Sequence, residues 1–190
     1  MVSTIEPRVQ DQTASISIWQ IDSSHSVAEF AVKHLVFATA KGRFGGMSGT
    51  IQLDEADPSR SKAAVEIDAA TVDSRDEKRD AHLRSAEFFD VENHPTLSFQ
   101  STRVEAAGDG TLTATGNLTM RGVSRPVTLA VSYNGRGTNP WGQEVISYSG
   151  RTEVNRKDWG LEWNAPLEAG GVLVADTVQI ALEIEAARAA

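Results

Sequence analysis

Cysteine is missing from this chain of 190 residues. Its absence excludes disulfides, thiolate nucleophiles and Cys-ligated zinc or iron–sulfur centres together. It leaves the compartment open, because a domain of this size buries a core without disulfide staples. Positive charge is scarce as well: 18 Lys and Arg stand against 26 Asp and Glu, a net charge of −8. Nucleic acid finds no broad basic surface here, and net charge would not hold the chain on an anionic membrane. Aromatics make up 6%, too few for the aromatic-rich cleft of a sugar-binding enzyme. No run nears the ~20 apolar residues of a membrane span. The first stretch, MVSTIEPRVQDQTAS, has neither a basic n-region nor an apolar h-region. It reads as a short flexible tail over 1–15, ahead of a single domain over 16–187. The expected location is the cytoplasm, or the periplasm or exterior if a leader has been removed.

What the chain has in abundance is alternation. In TLTATGNLTM, Leu112, Ala114, Gly116, Leu118 and Met120 share one face, with threonines and Asn117 on the other. That is a half-buried strand. VTLAVSY, TVQIALEIEA, TLSFQS, AAVEIDA and QEVISYSGRTEVN repeat the pattern. ISIWQID and HSVAEFAVKH read as two strands joined by a tight turn at Asp22–Ser24. RFGGMSGTIQLD reads as one long strand, bent at its glycines. Turn signals separate the runs, and RGVSRP between two alternating strands predicts a hairpin. The count is eight or nine strands with no βαβ rhythm, so the fold class is all-β, an antiparallel barrel or sandwich.

One segment departs from this. SRDEKRDAHLRSAEFF contains good helix formers without alternation, and Ser74 with Glu77 fits a capping box. It predicts a helix from about Asp76 to Glu87. The same stretch holds His82 and His94 among many acids, which raises a metal-assisted hydrolase as an alternative. No HExxH pattern supports it. His25 sits at the first turn, where its ring can bond backbone. KGRFGG lacks the Gly-Lys-Ser/Thr ending of a phosphate loop and opens a strand, not a helix. No Gly-x-Ser-x-Gly elbow is present. No catalytic residue, resident metal or cofactor is expected.

WQIDSSHSVAEFAVKH, KGRFGGMSG, RDAHLRSAEFFDVENHPTLSF, GNLTMRGVSRPVTL and NRKDWGLEW follow one another in this order. Together, from about Trp19 to Glu185, they resemble the YceI-like family of lipocalin-like polyisoprenoid-binding proteins. The resemblance implies an eight-stranded antiparallel barrel, with one short helix flanking or plugging it, around an apolar cavity. It further implies non-enzymatic binding, sequestration or transport of an isoprenoid or related lipid, and many members are periplasmic. The inward positions then become candidate cavity lining: Phe30, Val32, His34, Phe37, Phe44, Val65, Ile67, Leu97, Phe99, Leu118, Met120, Val131 and Tyr133. Trp159 is expected to pack against the barrel end, with cavity lining as its other reading. His34, Lys41 and Arg43 are candidate contacts for a ligand head group. The expected partner is a small lipid, with a homodimer possible. A structural or stress-associated module with a filled core is the remaining alternative.

Overall fold

The computed structural model describes residues 16–167 and 171–189; the tail expected over 1–15 lies outside them. Alternating apolar and polar residues can satisfy a core on one side and water on the other only as strands. Ten segments form: β1 (Ile16–Ile21), β2 (Val27–His34), β3 (Ala38–Phe44), β4 (Met47–Asp54), β5 (Lys62–Asp68), β6 (Thr96–Gly108), β7 (Thr111–Met120), β8 (Val123–Thr138), β9 (Glu144–Asn155) and β10 (Val174–Arg188). All pairings among them are antiparallel. Eight close a ring in the order β1-β4-β5-β6-β7-β8-β9-β10, with β10 returning to β1. The fold is thus an all-β, eight-stranded antiparallel barrel. The remaining two, β2 and β3, form a hairpin that continues the wall from β10.

The two extra segments have local causes. The Asp22 carboxylate accepts from the Ser24 amide and hydroxyl at 2.8 and 2.6 Å, which turns the chain between β1 and β2. Gly46, at φ +57°, breaks the expected long strand between β3 and β4. Beyond that break, β4 pairs with β5, whereas β3 pairs with β2 only. Among the described residues, the other edge of β3 carries one bridge, Arg43 to Asp73. The wall is therefore open alongside β3. Elsewhere it is tightly joined. Asp109–Gly110 and Arg121–Gly122 are two-residue hairpin loops, with φ of +51° and +75°, and +49° and +71°. Paired left-handed residues match the twist of adjacent strands.

Helix α1 (Glu77–Arg84) and its flanking loops occupy the opening. It is shorter than expected at its C-terminal end, and its cap is different. The Asp76 carboxylate accepts from the Arg79 amide at 3.0 Å, so Asp76 is the N-cap. Ser74 does not cap; it is buried, and its amide and hydroxyl both donate to Asp80, at 2.8 and 2.5 Å. Arg84 ties the helix to the wall through the carbonyls of Ala70 (2.9 Å) and Val72 (2.8 Å). Phe88 and Phe89 lie beyond the helix in turns, both buried.

Toward the opposite end the interior is packed around Trp19, with a second, smaller hollow beyond it bordered by Leu112, Tyr133, Ile146 and Tyr148. Trp19, Ile146 and Ala186 are at most 1% exposed. The Trp19 indole donates to the Ser17 hydroxyl at 2.9 Å. The guanidiniums of Arg136 and Arg188 lie 5.2 and 5.8 Å from its ring centroid.

Candidate ligand cavity

Between the packing around Trp19 and the open side of β3 lies a cavity of about 560 Å³. Small-molecule sites typically measure roughly 300–1,000 Å³. Strand alternation builds the wall: Phe30 and Val32 from β2, Phe44 from β3, Val65 and Ile67 from β5, Leu97 and Phe99 from β6, Leu118 and Met120 from β7. The structure places all of these expected positions in the wall. It adds Val127 and Leu129 from β8, Val154 from β9, and Val178, Ile180 and Leu182 from β10. Leu83 comes from α1, Phe88 and Phe89 from the turns after it, and Leu161 and Trp163 from the segment after β9. Phe30 reaches across its strand partner Gly42, where any Cβ would meet the ring at 2.3 Å. A glycine at this position lets the ring lie along the wall.

Four candidate lining positions fall elsewhere, each for a geometric reason. Phe37 is 81% exposed at the tip of the β2–β3 turn, beyond the barrel wall. Val131 packs against the core without reaching the cavity. Tyr133, two residues on, is exposed and packs on Tyr148, with ring centroids 5.4 Å apart. Both lie further along β8, past the stretch of strand that borders the space. Trp159 is 2% exposed and buried in a 3-10 turn, Arg156–Trp159, where its indole donates to the Leu118 carbonyl at 3.0 Å.

The expected head-group residues also divide. His34 and Lys41 border the cavity. Arg43 does not: its guanidinium pairs with Asp73 at 2.9 Å, and the two backbones exchange hydrogen bonds of 2.9 Å. It fastens β3 to the segment ahead of the helix. Exposed Lys41, Asp76, Lys78 and Arg79 all border the cavity, so it opens to solvent between β3 and the first turn of α1.

Two polar residues in the wall, Arg156 and His82, were not among the expected lining positions. Arg156 is 4% exposed. Its guanidinium donates to the carbonyls of Ala175 (3.0 Å), Leu161 and Trp163 (2.9 Å), and Nη2 stands 3.5 Å from the Asp176 carboxylate. Burial holds its pKa below the ordinary arginine value, partly offset by Asp176. His82 is stacked edge-on between Phe88 and Trp163, with centroids at 4.9 and 4.7 Å, and Nε2 meets Glu87 at 2.6 Å. His94 stands apart, against Gly122 and 3.9 Å from Asp90. Neither histidine belongs to a cluster of three metal-type ligands among the described residues; the cluster of that kind is Asp22, His25 and Glu185. His25 contacts the Asp22 carboxylate at 3.0 Å, not backbone.

Comparisons with known proteins agree with this architecture. A family model described as "YceI-like domain" matches residues 19–186. A UPF0312 protein of Azotobacter vinelandii is 38% identical over 141 residues, 74% of this chain and 73% of the relative. The crystal structure of Burkholderia cenocepacia BcnA aligns with a TM-score of 0.74 at 23% identity, over 87% of this chain and 98% of that one. A polyisoprenoid binding domain from Saccharophagus degradans aligns at 0.66 with 15% identity, over 92% and 100%. The two structural likenesses concern fold alone. The family model and the bacterial relative go further, and on them the chain belongs to the YceI-like family.

Proposed function

We propose that the protein binds a long-chain isoprenoid or related lipid in its barrel, without chemistry, to sequester or carry it. The observation that supports this reading is the cavity itself: about 560 Å³ walled mainly by aliphatic and aromatic side chains, with few polar groups among them. An apolar chain gains about 0.8 kcal/mol for each methylene removed from water. Ten such groups contribute on the order of 8 kcal/mol before the costs of association. Affinity then needs no strong polar contact, and selectivity follows cavity length and shape. His34 and Lys41 at the opening suit a polar head of quinone or prenyl phosphate type. The Saccharophagus domain is described as polyisoprenoid binding, which is in keeping with the reading.

Mass spectrometry of an organic extract of the purified protein tests it. The expected result is a chain-like apolar molecule at about one per polypeptide, displaced by an apolar fluorescent dye. An empty extract, with no dye uptake by the protein, would overturn the reading.

A further inference from the structure

The turn between β2 and β3 is built against its sequence. Leu35 and Val36 have φ of +53° and +68°. The Phe37 amide donates to the Leu35 carbonyl at 2.8 Å, closing a three-residue turn around Val36. The positive-φ form of this γ-turn is rare and strained, and a β-branched residue there is a genuine outlier. Asn or Gly would hold the same backbone at lower cost. The chain instead places Val36 and Phe37 at the tip, 77% and 81% exposed. The Leu35 amide donates to the Leu173 carbonyl at 3.0 Å, which brings the half-exposed Val172 alongside. Three large apolar side chains thus stand in water at one place.

The cavity wall runs up to that place. His34, Lys41, Leu173 and Val174, which adjoin this turn, all border the cavity. We propose that the β2–β3 turn is a membrane-docking tip, which inserts Val36 and Phe37 into a lipid bilayer and seats the cavity mouth on its surface. The inference rests on the lipid-carrier reading.

Charge supports a bilayer as the occupant. Among the exposed residues bordering the cavity, Lys41, Lys78 and Arg79 stand against Glu29 and Asp76, and Lys33 flanks the tip. Cations outnumber acids there by one, or by two with Lys33, on a molecule of net charge −8, and Lys33 and Lys41 are the ones on the strands that carry the tip. Ammonium groups at the level of phosphates, above inserted apolar tips, match the layering of a membrane interface. The overall charge supplies no long-range attraction, so the contact is short-ranged and driven by insertion. A stable protein partner needs about 800 Å² from each side, more than three side chains provide. An apolar ligand could then slide between bilayer and cavity without crossing water.

Flotation of the full protein with phosphatidylcholine vesicles tests the proposal, comparing wild type with a V36N/F37S double variant. Wild type is expected to float with the vesicles. The variant should lose about tenfold or more in partitioning, since each buried apolar side chain is worth at least that factor. Its melting temperature should be unchanged or higher, because Asn tolerates the left-handed backbone. Uptake of an apolar dye from vesicle-free solution should match wild type. Equal flotation of the two proteins would overturn the proposal. So would wild type that never floats, or a patch that serves only to hold a dimer, seen as a variant that turns monomeric. If the variant loses flotation while neither protein takes up dye, docking stands and the carrier reading fails.

Discussion

At the scale of single residues, charge pairs near the surface fix local geometry more than they fix the fold. Asp22 and His25 are the clearest case. Hydrogen bonds from Ser24 and His25 hold the Asp22 carboxyl at a pKa of about 2, below the ordinary aspartate value, and Asp22 in turn raises the His25 imidazole above the ordinary histidine value. The lowered acid contributes stability above pH 3.8 that is lost as pH falls toward 2. The raised base contributes stability below pH 6.5 that is lost as pH climbs through its folded value. The pair is therefore fully formed between those limits. Replacing Asp22 by Asn should lower the His25 titration midpoint, followed by NMR of the ring protons; an unmoved midpoint would contradict the pairing. The turn at Asp22–Ser24 was legible in the sequence from its Asx chemistry. The partner of His25 was not, because a short local spacing does not say whether a ring meets backbone or carboxylate.

Elements show where periodicity informs and where it stops. Strand alternation correctly placed Phe30, Val65, Leu97 and Leu118 on the inner face, because period two admits no other arrangement. It did not say how far along each strand the hollow extends, so Val131 and Tyr133 on β8 share a parity with Leu129 without sharing its surroundings. The helix was legible in composition, but its cap was not: Ser74 and Asp76 are both good caps, and tertiary contacts decided between them. Asp80 took the amide and hydroxyl of Ser74, which left Asp76 to the helix. Asp80→Ala should therefore destabilise the whole segment by about 1–3 kcal/mol, since it strands two buried donors. Urea unfolding measures this, and a change within error would show that water replaces the carboxylate.

The whole molecule is asymmetric from end to end: a packed base around Trp19, a hollow upper half, and a mouth beside β3. Sequence does not distinguish those halves, because an inward leucine reads the same against a neighbour or against a void. What differs is three-dimensional: the glycine break between β3 and β4 releases β3 from its second partner and opens the wall there. Stability should be concentrated in the base. Trp19→Ala is expected to cost about 3–5 kcal/mol in chemical denaturation, in line with deletion of a large core aromatic. A loss below 1 kcal/mol would mean that the base tolerates collapse.

The Trp19 base also sets a kinetic rule. If the hollow above it holds a ligand, the packing around Trp19 leaves that ligand one way out, past β3, so an incoming molecule cannot drive it through the barrel. Exchange must then wait for departure, and its rate should stay flat however much competitor is added.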